Sequence, residues 1–191
     1  FDVEYDYPWG WGELEGIANR TDYDLGKHAK HSGAKLEYFD PQQRKKFVPY
    51  VIEPAAGATR GVLVYLCDAY TEETVEGKKG PETRVVLKLH PQLAPVKVAV
   101  LPLVKKNGMP EKARALVERF FNKGINAKYD EQHAIGKRYR RHDEIGTPWC
   151  LTIDGQTLED DTITIRDRDT MAQRRIPIDE AVAEIEALLA T

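Results

Sequence analysis

From residue 96 onward, short apolar segments alternate with amphipathic ones, and this alternation limits the architectures open to the second half of the chain. Residues 96–104 form a nearly continuous apolar run, as in a strand buried on both faces. The segments that follow alternate between helical and strand-like periodicity and end in an amphipathic helix over residues 178–189. We therefore predict an α/β domain on a mixed sheet of about five strands, with helices on both faces and a hairpin around Asp169 and Thr170.

The first half of the chain is rich in glycine and alternates acidic with apolar residues. Residues 2–7 predict a strand, and residues 10–18 predict a second strand whose glycines suit close approach by a ligand. A short polar helix is predicted over residues 22–31. Residues 47–53 predict a further strand, which a glycine turn joins to an apolar helix over residues 57–70.

Gly and Pro mark the transition between the two halves. The acidic stretch 71–81 is flanked by these residues, so we predict a surface insertion without regular structure. Pro91 and Pro95 bracket a short linker. We place the domain boundary near residue 93, which gives a first domain of residues 1–92 and a second of residues 93–191.

Composition excludes several classes of protein. Hydrophobic residues make up 41% of the chain and charged residues 31%, which excludes a disordered chain or a fibre. The longest apolar runs are too short to cross a bilayer, so we expect no membrane partner. Cys67 and Cys150 form neither a disulfide framework nor a CxxC site, so we predict small core residues of a reduced, cytoplasmic protein. The chain starts at Phe1 without an initiator Met, and we expect it to be the C-terminal part of a longer protein.

Charge is unevenly distributed along the chain. The formal net charge is -3, which provides no global attraction to nucleic acid. Residues 95–150 nevertheless form a basic segment between two acidic ones. Any polyanionic partner must therefore meet a local patch in this middle segment.

The first candidate site is the stretch from Glu53 to Arg60. It places a carboxylate at a strand end, then a tight turn containing Pro54 and Gly57, then an arginine in the first turn of a helix. An ordinary strand-to-helix turn explains this pattern, and so does a site for a nucleotide and a cationic group. Because a cation is unfavourable at a helix N-terminus, the position of Arg60 calls for a specific partner.

The second candidate site is the glycine-rich segment 9–22. Glu13 and Glu15 are two residues apart and would share one face of a regular strand. Two carboxylates on one face repel each other unless a cation or solvent separates them. Both a ligand-facing strand and a solvated edge strand remain open. His28 and His31 have metal-compatible spacing but no accompanying cysteine or acidic cluster, and we predict no metal site.

The third candidate site is the basic segment 135–148. Lys137, Arg140 and Arg141 are spaced so that they share one helix face, whereas Arg138 cannot point the same way. A solvated helix face explains such a pattern, but the local excess of positive charge favours contacts with RNA phosphates. Tyr139 lies between the basic residues and would suit base stacking.

Four segments occur in the order expected for a known family. They are residues 10–25 (GWGELEGIANRTDYDL), residues 50–60 (YVIEPAAGATR), residues 136–148 (GKRYRRHDEIGTP) and residues 164–170 (TIRDRDT). With these segments the chain resembles the C-terminal part of a class II glycyl-tRNA synthetase of the single-chain, homodimeric type, over almost its whole length. The first two segments are similar to glycyl enzymes, and residues 50–60 resemble motif 3. The last two are shared with the anticodon domains of prolyl, threonyl and histidyl enzymes.

The resemblance implies an α+β fold in which part of an antiparallel-sheet catalytic core (1–92) precedes an α/β anticodon-binding domain (93–191). It implies catalytic roles for Arg60 and Glu53. Ala55 stands where most of the family has Ser. The implied ATP-binding residues are Glu13, Leu14, Gly57, Ala58, Thr59 and Arg60, the implied glycine-binding residues are Glu53, Pro54, Ala55, Ala56 and Gly57, and the tRNA-binding set is Lys105, Lys106, Lys137, Arg138, Arg140 and Arg141.

The resemblance further implies a glycine–tRNA ligase that uses ATP and Mg²⁺ to activate glycine and transfers it to tRNA-Gly. The family's dimer-pairing motif 1 and its motif 2 arginine would lie before Phe1, so we expect the isolated piece to be inactive and the full-length protein to be a homodimer. Two alternatives remain: a non-catalytic RNA-binding module or accessory subunit, and a nucleotide-binding regulator.

Overall fold

The computed structural model describes residues 1–77 and 80–190. It divides the chain into two compact units, the first Phe1–Cys67 and the second from Asp68 onward. Each unit has its own sheets and is described separately.

The first unit is built on an antiparallel three-stranded sheet with strand order β1-β2-β5. Strands β3 and β4 form a small separate hairpin. In chain order its elements are β1 (Asp2–Tyr7), β2 (Gly10–Thr21), α1 (Tyr23–Ser32), β3 (Tyr38–Asp40), β4 (Lys45–Phe47), β5 (Val51–Ala56) and α2 (Ala58–Ala69), the last of which extends two residues beyond the unit.

Glycines shape the first hairpin of this unit. Gly10 has a φ of 110°, a conformation that suits glycine, at the start of β2 where the chain reverses. A Cβ atom at Gly12 would lie 3.2 Å from the ring of Tyr7, so glycine at this position leaves room for the aromatic side chain. Tyr7 stacks on Trp9 and is the buried hydrophobic residue of the first unit. The aromatic hairpin thus supplies what core this unit has.

The second unit is built on a five-stranded sheet with strand order β12-β11-β10-β8-β9, and strands β6 and β7 form a separate hairpin. Strands β8, β9 and β10 are parallel, and β11 and β12 are antiparallel, which confirms the predicted mixed sheet. The elements are β6 (Tyr70–Gly77), β7 (Gly80–Leu87), β8 (Val98–Pro102), α3 (Met109–Asn122), β9 (Ala127–Tyr129), α4 (Ile135–Glu144), β10 (Trp149–Ile153), α5 (Gly155–Asp160), β11 (Thr162–Asp167), β12 (Gln173–Pro177) and α6 (Ile178–Ala190).

Strand β8 is buried on both faces, as its apolar run predicts. Val98 and Val100 join the main core, in which Phe120 of α3 and Ile185 of α6 also pack. Ala99 and its neighbours on the opposite face pack against Ile135 and Tyr139 of α4. Helices therefore cover both faces of the sheet, as expected. Cys150 lies in this second cluster, where burial raises the pKa of its thiol to about 12, while Cys67 is partly buried.

Two predicted details were wrong, and one helix was missed. Residues 71–81 are not an irregular insertion, because β6 and β7 pair in register from Tyr70–Leu87 to Gly77–Gly80. The Gly and Pro that suggested a loop occupy the turn region of this hairpin, and Lys78 and Lys79 lie outside the described residues. The strand predicted over 47–53 is instead two elements, β4 and β5. Helix α5 was not predicted, although Asp154 and Thr157 form a capping box at its start.

The compact units meet at residue 67/68, not at the predicted residue 93. The β6–β7 hairpin groups with the second unit because Arg84 of β7 is buried against Asp143 of α4. A boundary near residue 93 between catalytic and anticodon-binding sequence stays a prediction. Units that are compact in the structure need not coincide with the segments that resemble different domains in sequence.

Candidate functional site

In the first unit, the structure brings together Glu13 and Arg60, which are 47 residues apart in the sequence. Glu13 lies in β2, and Arg60 lies in the first turn of α2. The Arg60 guanidinium donates from Nη1 to Oε1 of Glu13 at 3.0 Å. This carboxylate is the partner that an arginine at a helix N-terminus requires. Both side chains are about half exposed, so the pair lies at the surface.

Glu53 lies beside a different arginine. Its Oε2 is 3.3 Å from Nε of Arg20, which also makes two hydrogen bonds, of 2.7 and 3.1 Å, to Asp24. The hydrogen bond to Asp24 raises the pKa of Arg20, and the same bond lowers the pKa of Asp24. Arg20 was not singled out from the sequence, although its i,i+4 spacing to Asp24 was visible. Half of the Glu53 side chain remains exposed.

The predicted shared face of Glu13 and Glu15 depends on a regular strand, and β2 is irregular at this point. Glu15 lies opposite Val3, but Glu13 lies opposite the next residue of β1, Glu4. The residue between them, Leu14, is therefore an extra residue in the register, as in a β-bulge. The regular strand on which the shared face depends is therefore absent at this point.

The other residues predicted to contact ATP or glycine lie near this surface. Pro54, Ala55 and Ala56 belong to β5 and are exposed. Gly57 joins β5 to α2, and Ala58 and Thr59 begin that helix and are exposed. Leu14 is half-buried. Apart from Leu14, which lies in β2 beside Glu13, these residues form one strand–turn–helix segment that also contains Arg60. Their ligand contacts stay predictions.

In the second unit, Arg138 of α4 is buried, with 2% of its surface exposed. Its guanidinium donates to three backbone oxygens, those of Pro102 at 2.7 Å, Asp130 at 3.2 Å and Leu103 at 3.3 Å. Burial lowers its pKa. The prediction that Arg138 contacts tRNA was wrong, because this side chain holds the ends of neighbouring strands and does not face solvent.

The remaining members of the predicted tRNA-binding set reach the surface. Lys106 and Lys137 are exposed, and Lys105 is exposed with its Nζ 3.8 Å from Glu131. Arg140 forms an ion pair with Glu82 of β7, and about a third of its side chain is exposed. Arg141 donates to Asp130 at 2.5 Å.

Two clefts border α4, the helix that carries Lys137, Arg140 and Arg141. The larger has a volume of about 930 Å³ and lies between α4 and the turn end of the β6–β7 hairpin. The smaller, of about 390 Å³, lies beside Tyr129 at the carboxyl ends of the parallel strands, where ligands bind in many α/β sheets. Lys105 and Arg141 line the smaller cleft, and Lys137, Arg140 and Arg141 line the larger.

A buried ion cluster that includes Asp143 of α4 was not predicted from the sequence. Asp143, fully buried, accepts from Arg84 at 2.9 Å and from Arg166 at 2.8 and 3.0 Å. Arg84 also donates to Glu73 at 2.8 Å and to the backbone oxygen of Arg168. The cluster joins the hairpin, α4 and β11. No local pattern reveals it, since Arg84 and Asp143 are 59 residues apart.

Two further observations concern the described residues alone. Within 1–77 and 80–190, no group of three or more His, Cys, Asp or Glu side chains is arranged to hold a metal ion. In the same residues, every helix is too short or too polar to span a bilayer.

The chain is similar in sequence to a domain family and to proteins of known activity. Residues 97–188 match the profile of the anticodon binding domain family. The chain is 55% identical over 185 residues to a glycine–tRNA ligase of Clostridium acetobutylicum, and 53% identical over 189 residues to that of Staphylococcus haemolyticus. These matches cover 97% and 99% of the chain but 39% of each relative, so the chain spans about two fifths of their length.

A solved structure is similar in fold. The RNA binding domain of threonyl-tRNA synthetase from Cryptosporidium parvum superposes with a TM-score of 0.69, at 17% identity, over 98% of this chain and 42% of that one. At this identity the match supports the architecture alone.

Proposed function

We propose, from the match of residues 97–188 to the anticodon binding domain family, that the chain is part of a glycine–tRNA ligase whose second unit binds the anticodon arm of tRNA-Gly. One observation carries the proposal. The identity to glycine–tRNA ligases extends over 97% of the chain, so it includes the Glu13–Arg60 segment as well as the basic helix. A non-catalytic RNA-binding module would need the basic helix but neither Glu53 nor Arg60.

For RNA binding, the proposed contacts are side chains that reach solvent. Lys105, Lys106, Lys137, Arg140 and Arg141 can meet phosphates, and long cationic side chains on a helix face suit the sugar–phosphate backbone of a folded RNA. Arg138 supports this surface from within.

For ATP, the proposed contacts are Arg60 with Gly57, Ala58, Thr59, Glu13 and Leu14. Glu13 orients the Arg60 guanidinium through Nη1, and 45% of the arginine side chain is exposed, so a phosphate or an adenine ring can still reach it. Its fixed positive charge would stabilise a nucleotide electrostatically, and no covalent nucleophile is needed.

For glycine, the proposed contacts are Glu53, Pro54, Ala55, Ala56 and Gly57. The exposed Glu53 carboxylate can pair with the ammonium group of the substrate. Glycine has no side chain to bind, so selection must come from pairing both charged ends and from excluding a methyl group.

The proposal includes inactivity of this chain in adenylate formation. Attack of the glycine carboxylate on the α-phosphorus needs positive charge around that phosphate. No step is assigned to Mg²⁺ in this proposal. We expect no glycine-dependent ATP–pyrophosphate exchange by this chain, and measurable exchange would contradict this part of the proposal. The homodimer and the cytoplasmic location implied by the resemblance stay predictions.

The RNA-binding part is tested by fluorescence anisotropy with labelled tRNA-Gly over a series of salt concentrations. The double variant Lys106→Ala/Lys137→Ala should weaken binding and reduce the slope of log K against log salt by between about one and two, because each lost phosphate contact changes that slope by roughly 0.7 to 0.9. Arg141 is left intact because it supports the buried Asp130.

The matched control is Lys112→Ala/Lys123→Ala, which removes the same charge from α3 and the residue that follows it. Equal losses of affinity in the two double variants would remove α4 from the interface. Absence of tRNA-Gly binding by the unchanged chain would overturn the proposed function of the second unit.

A further inference from the structure

The larger cleft of the second unit has walls from two different elements. One wall is the turn end of the β6–β7 hairpin, including Gly80, Pro81 and Glu82, and the other is α4 from Gly136 to Glu144. Tyr139, Arg166 and Met171 also line it. Its volume of about 930 Å³ is in the range of small-molecule sites.

The side chains lining this cleft carry more positive than negative charge. Lys137, Arg140, Arg141 and Arg166 line it, against the carboxylates of Glu82 and Glu144. Arg141 is paired with Asp130, and Arg166 with Asp143. Lys137 and Arg140 are therefore the cations most available to an anion in the cleft.

Arg140 combines an exchangeable partner with an unused donor. Its Nη2 contacts Glu82, whose side chain is 54% exposed. Its Nη1 is buried and has no hydrogen-bond partner among the described residues. Exposed ion pairs are weak, whereas a phosphate accepts from both guanidinium nitrogens at once. A phosphate could thus satisfy both nitrogens where Glu82 satisfies one.

The buried ion cluster holds the backbone of β7 at Glu82 in place. Glu82 and Arg84 are two residues apart on β7 and so lie on the same side of the strand. Their partners, Arg140 and Asp143, are three residues apart on α4, about one helical turn. Because the Arg84–Asp143 pair is fully buried, the hairpin holds Glu82 over Arg140.

We propose that this cleft binds one nucleotide of an RNA through its backbone phosphate. Glu82 forms an ion pair with Arg140 in the free protein and is displaced from it by that phosphate. The inference rests on the proposed RNA-binding function. Arg140 and Lys137 hold the phosphate, and Tyr139 and Met171 contribute the less polar wall beside it. Glu82 therefore lowers the affinity for an RNA that places a phosphate in the cleft, because its ion pair with Arg140 must be broken first.

The test compares Glu82→Gln with Glu184→Gln in tRNA-Gly binding. Glu184 pairs with Arg174 in the same unit, so both variants remove one carboxylate from an ion pair at the surface. Glu82→Gln should raise affinity about threefold to tenfold and leave the salt slope nearly unchanged, because the complex of the unchanged chain already contains the Arg140–phosphate contact. Glu184→Gln should change the affinity far less.

A double variant separates the cleft from a general charge effect. Arg140→Ala should weaken binding, and Glu82→Gln/Arg140→Ala should bind no better than Arg140→Ala alone, because Glu82 acts through Arg140. Should Glu82→Gln lower thermal stability, the same comparison is made with Glu82→Ala against Glu184→Ala, and equal affinities of these two variants would overturn the displacement of Glu82.

The outcomes distinguish this inference from the function on which it rests. If the unchanged chain binds no tRNA-Gly, the proposed function fails. If it binds, but Glu82→Gln matches Glu184→Gln or still raises affinity without Arg140, the cleft is overturned and the proposed function stands.

Discussion

The first unit exposes aromatic residues, whereas the second buries charged ones. Trp9 and Trp11 are 69% and 70% exposed, while Arg84 and Asp143 are fully buried. An interior can hold charges only where a surrounding apolar core and complete pairing offset the loss of hydration. The second unit therefore has a core strong enough to hold α4 in place, whereas the first unit presents its candidate ligand residues on a three-stranded sheet.

The largest expected effect tests whether each unit folds alone. Residues 68–191 should unfold in one cooperative thermal transition, followed by circular dichroism. Residues 1–67 should show none, because burial of Tyr7 cannot offset a backbone entropy cost of about 1–2 kcal/mol per residue. A sigmoidal transition and dispersed amide proton shifts for residues 1–67 would show that the first unit also has a stable core of its own.

The next effect concerns the buried ion cluster. Asp143→Ala should lower the free energy of unfolding by about 3–5 kcal/mol, because Arg84 and Arg166 lose their shared buried carboxylate. Urea unfolding measures this. Glu186→Ala, which removes the exposed partner of Lys123, is the matched control and should cost less than about 1 kcal/mol. Similar losses in both variants would show that the buried cluster is no more important than a surface pair.

A third effect concerns His142, which is buried beside Thr147 and Asp130. Burial lowers its pKa to about 4. The Asp130 carboxylate, 3.5 Å away, favours the charged ring, whereas the positive charges of Lys128 and Arg141 oppose it. The unfolded chain therefore takes up a proton between about pH 6.5 and 4 that the folded chain does not. Stability from this group is complete above pH 6.5 and declines by about 3 kcal/mol as the pH falls to 4.

The measurement is urea unfolding between pH 7 and pH 4.5. His142→Gln should lose most of the pH dependence in this window, and His133→Gln, at an exposed position, should retain it. The pKa of Asp130 is also lowered, and its effect falls below about pH 3.8, outside the window. An unchanged slope in His142→Gln would show that the imidazole is charged in the folded protein.

Sequence reasoning succeeded where the signal was local. The apolar run of β8 and the periodicity of α3 and α6 predicted a mixed sheet covered on both faces, because each element shows its burial in its own spacing. Helical spacing also separated Arg138 from Lys137, Arg140 and Arg141. The prediction failed when Arg138 was nevertheless assigned to tRNA, since spacing cannot show that one face points inward.

The failures share a different cause. The β6–β7 hairpin resembled an insertion because its acidic residues show no strand pattern of their own. Glu73 pairs with Lys88 and Arg84 on the opposite side of the hairpin, and these contacts lower the pKa of Glu73. The bulge at Leu14 likewise depends on the register of two strands, not on either strand alone. Pairing between distant residues therefore sets the limit of what this sequence revealed about its candidate sites.

The smallest effect concerns Arg60 and returns to the first unit. Arg60→Ala should change the free energy of unfolding of the whole chain by less than about 1 kcal/mol, because its pair with Glu13 is half exposed and screened by solvent. Urea unfolding of Arg60→Ala and of Lys123→Ala, which removes a comparable surface pair, should agree within error. A residue with so little structural role is free to serve a ligand. A loss of several kcal/mol in Arg60→Ala alone would instead make the Glu13–Arg60 pair a structural support of the first unit and remove the contrast between the units' charged residues.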